Sequence, residues 1–123
     1  MNIGGELGDG TGNDSRIPVH VSTGLTFAQV STDLGITCAV TKGARVACWG
    51  TSNAPVGVDG TTSCPRWTTC RPVPFEVPGL NDVSQVSAIG EDPRNIAFAL
   101  KTDGTVVAIA EDASGFTLVQ AAP

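Results

Sequence analysis

At 123 residues the chain has the length of one ordinary domain, enough to bury a core. Its net charge of −5 repels phosphate backbones and excludes nucleic acid as an expected partner. No uninterrupted apolar run approaches the roughly 20 residues of a membrane helix, so no membrane span is expected. Four cysteines in so short a chain, an even number, suggest disulfides and an oxidising compartment, extracellular or periplasmic. No basic start followed by an apolar segment is present in the chain as given, so no secretory signal is expected within it.

In chain order, the first element is a glycine-rich turn, "GELGDGT", at residues 5–11. Four short extended segments follow: "IPVHV" (17–21), "FAQV" (27–30), "ITCAV" (36–40) and "RVACW" (45–49). Each carries β-branched residues or two-residue alternation and is bounded by Gly, Asp, Asn, Ser or Pro, which predicts strands rather than helices. The series recurs as "PFEV" (74–77), "VSQVS" (83–87), "NIAFAL" (95–100) and "TVVAIA" (105–110), with a ninth candidate, "FTLVQ", at 116–120.

The recurrence survives a check of offsets. Asp9-Gly10-Thr11 maps onto Asp59-Gly60-Thr61 at 50 residues, Pro18 and Val21 onto Pro74 and Val77 at 56, and Ala39 and Val46 onto Ala99 and Val106 at 60. The second unit therefore holds about six extra residues between Thr61 and Pro74 and about four between Val86 and Ala99. The expected organisation is one segment, 1–123, divided into a first unit (1–50), a second (51–112) and a C-terminal strand or tail (113–123).

The pattern "GELGDGT…PVHV…TCAV…VACWG" resembles the repeat of the regulator of chromosome condensation family in its bacterial exported form. Gly5, Leu7, Gly8, Asp9, Gly10, Thr11, Pro18, Cys38, Ala39, Cys48, Trp49 and Gly50 fall at that repeat's spacing. The second unit departs from it, with Gly57 and Val58 in place of Leu7 and Gly8 and Ile109 in place of Trp49. The resemblance implies an all-β fold of β-propeller blades, here about two four-stranded antiparallel blades forming a partial propeller. On that reading residues 17–49 and 74–110 form one sheet each, packed face to face, and "GELGDGT" carries the chain from one blade into the next.

Cys38 and Cys48 lie on two strands joined by a tight turn and stand opposite each other, which predicts a cross-strand disulfide; Phe98 and Ala108 hold the matching places. Cys64 and Cys70 bracket "PRWTT" and predict a second, loop-closing bridge. Zinc is the alternative for these thiols, disfavoured by the 64/70 spacing and by a single histidine, His20, on a distant segment. "DGTGND" has alternating oxygen ligands at Asp9, Thr11 and Asn13 but Asp14 where a calcium loop needs Gly and His20 at its twelfth place, so a turn is expected. No metal, no cofactor and no enzymatic activity is expected: no nucleophile is set beside a base.

The two insertions, residues 61–73 and 88–95, are expected to emerge at one face of the blades. The first places Trp67 between Arg66 and Arg71 in a stretch free of acidic residues. Trp and Arg dominate binding hot spots. The expected function is therefore a non-enzymatic protein-binding module, with Trp67 as apolar anchor, Arg66 and Arg71 as donors and Arg94 at the edge; the bland reading is that Trp67 folds back over its own loop. The alternative is a structural spacer or surface-display role without a specific ligand. The partner is a protein or further blades of the same propeller, a homo-oligomer included, because Leu7, Val30, Val40, Val46, Trp49, Val86, Phe98, Leu100 and Val106 cannot all be buried by two sheets.

Overall fold

The computed structural model describes residues 7–11, 15–17, 20–21, 23–33, 35–52, 54–64, 69–89 and 95–120. Among them run nine strands: β1 (Phe27–Asp33), β2 (Ile36–Thr41), β3 (Val46–Ser52), β4 (Thr62–Ser63), β5 (Thr69–Glu76), β6 (Val83–Ala88), β7 (Asn95–Lys101), β8 (Val106–Asp112) and β9 (Gly115–Gln120). All pairings are antiparallel, in sheet 1 of order β1-β2-β3-β5-β4 and sheet 2 of order β6-β7-β8-β9. The all-β expectation holds, and no helix occurs among the described residues, none long and apolar enough to cross a membrane.

The grouping of strands differs from the expected one. β5, expected to open the second sheet, pairs with β3 and belongs to sheet 1, while β9 completes sheet 2. Each sheet is thus a four-strand meander, with β4 as a two-residue addition to the edge of the first. Residues 17–21 match the end of β5 at the 56-residue offset, and β5 pairs with the strand that precedes it in the chain. Among the described residues no strand precedes β1 to pair with 17–21 in that way. Accordingly Ile17, His20 and Val21 are not in a strand; Pro18 and Val19 lie outside the described residues. The "GELGDGT" expectation changes with it. Its second-unit counterpart, ending in Asp59-Gly60-Thr61, lies between β3 and β5, two neighbours within one sheet.

The two meanders repeat each other in register. Val30 pairs with Ala39 as Val86 pairs with Ala99, and Cys38 with Cys48 as Phe98 with Ala108. Both first strands are irregular at the same place, between Phe27 and Gln29 and between Val83 and Gln85. Both second hairpins close alike, with Thr41 N–H donating to Arg45 O and Lys101 N–H to Thr105 O. The left-handed position of that turn is Ala44 (φ 64°) in sheet 1 and Gly104 (φ 91°) in sheet 2.

The core lies between the sheets. Ile36, Cys38, Val40, Val46 and Cys48 of sheet 1 share one buried cluster with Val86, Ala97, Ala99, Val107 and Ile109 of sheet 2 and with Val77, Leu80 and Val83. On the other face of sheet 1 Ala39, Ala47 and Trp49 are buried and the Trp49 ring lies 5.7 Å from that of Phe27, while Val30 at the edge of that face is exposed. Gly8 (φ 72°) sits so close to Trp49 that a β-carbon there would lie 2.7 Å from the indole Nε1, a contact that with the positive φ requires glycine. Sheet 2 has no such cover. Phe98, Leu100, Val106 and Val119 stand exposed. Of the nine apolar residues expected to compete for burial, Val40, Val46, Trp49 and Val86 are buried and Val30, Phe98, Leu100 and Val106 are exposed.

Candidate functional site

Cys38 and Cys48 form one disulfide, with Cα atoms 4.1 Å apart on opposed positions of β2 and β3; Cys64 and Cys70 form the other, with Cα atoms 6.0 Å apart. Both pairings are the expected ones. The second closes the loop that holds Arg66 and Trp67, and Thr62 and Ser63 pair with Cys70 and Thr69 at its base. Arg66, Trp67 and Arg94 lie outside the described residues.

Strand direction fixes where the two insertions leave the sheets. Val83 N–H, at the start of β6, donates to Ala44 O in the β2–β3 turn, so that turn and the start of β6 share one end. The β3–β5 and β6–β7 connections leave from the opposite end, because successive antiparallel strands reverse. The connections that carry both inserted stretches leave from that end; residues 65–68 and 90–94 lie outside the described residues, and Thr69 to Val73, expected in the first insertion, belong to β5 instead.

Arg71 is the correction. Expected as a donor to a partner, it sits opposite Gly50 in the β3–β5 pair with its side chain fully buried. Its Nη1 donates to Glu111 Oε2, in an ion pair shielded from water on both sides, and its Nε donates to Asp59 O at 2.7 Å. The guanidinium carbon lies 4.0 Å over the Phe116 ring, which stacks on Phe75 with centroids 6.3 Å apart. A buried cation persists only when paired and hydrogen-bonded, and Arg71 is both through Nη1 and Nε, although its Nη2 is buried without a hydrogen-bond partner among the described residues. Asp59 adds a second tie: its Oδ2 accepts from Phe116 N–H at 2.9 Å. The carboxylate occupies the space a β-carbon of residue 115 would need, so Gly115 (φ 100°) has no substitute.

Arg71 and Phe75 come from β5, Asp59 from the connection before it, Glu111 and Phe116 from β8 and β9. Together they bolt the base of the disulfide loop to sheet 2. Sequence reasoning missed Asp59, Glu111 and Phe116. The one available signal was weak: Glu111 closes an otherwise apolar run 40 residues from Arg71.

At Asp9-Gly10-Thr11 the turn reading of "DGTGND" agrees with the geometry; Gly12, Asn13 and Asp14 lie outside the described residues. Asp9 Oδ1 accepts from Thr11 N–H at 3.0 Å and from its hydroxyl at 2.8 Å. Asp103 binds Thr105 in the same way, and the Thr105 hydroxyl, with its N–H, holds the Asp103 carboxyl below its ordinary range. Among the described residues no three His, Cys, Asp or Glu side chains gather as a metal site. Compared with known proteins, the chain matches no family model and no curated relative.

Proposed function

We propose that the protein is a non-enzymatic binding module that presents the Cys64–Cys70 loop, with Trp67 as its apolar anchor and Arg66 and Arg94 as donors to an acidic or carbonyl-rich protein surface. The observation that carries this reading is the anchorage of the loop base. A disulfide, the β4–β5 pair and the buried Arg71–Glu111 contact converge within a few residues of it. A loop held this firmly at its root loses less entropy when its tip is ordered by a partner. Extra length costs little in a surface loop and adds nothing to sheet packing, so two insertions directed toward one end are more economically explained by a shared ligand than by folding. Arg71, as part of the root, takes no part in contact.

The resemblance to the regulator of chromosome condensation repeat supports blades of a larger propeller as the setting. The two disulfides are compatible with an extracellular or periplasmic compartment. The open face of sheet 2 is the observation that favours the second reading, a spacer or display array built from such units.

The test is a panel of displayed acidic peptides selected on the immobilised protein, with the Arg66→Ala, Trp67→Ala variant as counter-target. Peptides enriched on the native chain should bind the variant weakly, by roughly 2 kcal/mol or more, at an unchanged melting temperature. A variant that melts earlier and binds as before would make Trp67 the lid of its own loop and favour the spacer reading.

A further inference from the structure

The surfaces by which sheet 1 and sheet 2 meet occur twice in the chain, once engaged and once open. Beneath sheet 1, Val77, Leu80, Val83 and Val86 are only 1–3% exposed. Their counterparts one unit earlier are Val21, Leu25, Phe27 and Val30; three are half-buried and Val30 is 60% exposed. The facing surface repeats the contrast. Cys38, Val40, Val46 and Cys48 lie sealed against sheet 2, while Phe98, Leu100 and Val106, at their places in the second unit, are 36–37% exposed.

A polar pattern is duplicated with the apolar one. Gln-Val-Ser stands at 29–31 and again at 85–87, directly after the irregularity in each first strand. In the engaged copy, Gln29 Nε2 donates to Val86 O at 2.9 Å while its Oε1 accepts from Val86 N–H at 2.8 Å. Ser31 Oγ accepts from Ala88 N–H at 3.0 Å. In the open copy, Gln85 and Ser87 are exposed and make no side-chain hydrogen bond among the described residues. The receiving group is also duplicated. Val30 pairs with Ala39 as Val86 pairs with Ala99, so its N–H and C=O face outward from the edge of sheet 1, the carbonyl holding a 3.3 Å contact from Gln29 Nε2.

We propose that a second copy of this chain docks head to tail on the open face of sheet 2. The Phe98, Leu100 and Val106 face of one copy receives the Val21, Phe27 and Val30 surface of the next, Gln85 bonds both ways to the backbone of Val30, and Ser87 accepts from the N–H of Thr32. The occupant is a second copy because the repeat counterparts of both halves already fit each other inside the molecule, while Phe98, Leu100 and Val106 on one half and Val30 on the other remain exposed. The contact is heterologous: each docked copy leaves one surface of each kind free, so association continues into a ring or an open chain.

Sedimentation velocity on three proteins tests this. The native chain should form species larger than a dimer as concentration rises, and Val30→Glu and Phe98→Glu, which each spoil one of the two surfaces, should each be monomeric. Mixed in equal amounts they should give dimers and nothing larger, since one copy brings an intact Phe98 face and the other an intact Val30 surface. A monomeric native chain, a dimer in either variant alone, or a mixture that stays monomeric would overturn the proposal. If circular dichroism shows that a glutamate variant has lost its β-sheet, Gln85→Ala, at an exposed position, decides instead: association weaker by roughly tenfold supports the clamp, and unchanged association removes it.

Discussion

Sheets 1 and 2 share a meander, a register and one matching irregularity, yet they are finished differently. The central strands of sheet 1 are buried on both faces and cross-linked through Cys38 and Cys48, while its edge strand β1 is open at Val30. Sheet 2 has Phe98 and Ala108 at those places, no disulfide, and one face open. A buried disulfide and an aromatic-alanine pair thus fill the same slot, which shows that the slot demands volume first and that the bond is an addition. Where a second layer covers the slot, small cross-linked side chains fit; where none does, a larger apolar one remains.

The strongest way to break the comparison is to cut the tie between the sheets. Glu111→Ala leaves the Arg71 guanidinium buried without its counter-ion and should cost about 3–5 kcal/mol in urea unfolding. Arg71→Met combined with Glu111→Leu should recover most of that loss, because a dry apolar pair replaces the ion pair without an orphaned charge. A small effect of Glu111→Ala would mean that the ion pair is not what joins the loop base to sheet 2.

Next in size is the cross-link that only sheet 1 has. Replacing Cys38 and Cys48 together by Ala should cost near the low end of the roughly 2–4 kcal/mol typical of disulfides, since the ring is short. Hydrogen exchange should show the loss concentrated in β2 and β3, leaving β7 and β8 as protected as before. Equal deprotection of both sheets would show that the bond stabilises the sheet interface rather than sheet 1.

The smallest effect sharpens the comparison. Ala44 holds a left-handed conformation that Gly104 adopts freely in the matching turn. Ala44→Gly should raise stability by about 0.5–1 kcal/mol through relief of that strain, while Gly104→Ala should lower it by a similar amount. Thermal unfolding of the two variants reads both signs.

How much of this was legible in the sequence depends on range. Strand positions from Phe27 onward, except β4 and Thr69 to Val73 of β5, which fall within the expected insertion, together with both cysteine pairs and the Asp-Gly-Thr turn were visible because alternation, spacing and turn chemistry act over a few residues. Sheet membership was not. The sequence of β5 announces an extended segment, but its partner is chosen by hydrogen bonding to β3 across a long connection, and a repeat can be divided at any phase without changing its offsets. The same limit hid the role of Arg71. An absence of nearby carboxylates suggested a free cation, and the neutralising Glu111 comes from the other sheet.

The Gln29 contact with β6 has a consequence for how such chains change length. The Gln29 amide, bonded both ways to Val86 with the Ser31–Ala88 bond beside it, fixes the alignment of β1 and β6 at a short local joint rather than along a seam. A slip by one residue would bring up a residue whose N–H and C=O point into its own sheet, so both bonds would be lost. Everything between Val30 and Gln85 can then lengthen or shorten in its connections without disturbing the joint, as the extra residues before Pro74 illustrate. Units joined in this way can be inserted, lost or duplicated with the joint intact, which makes their number a quantity that evolution can adjust without redesigning the parts.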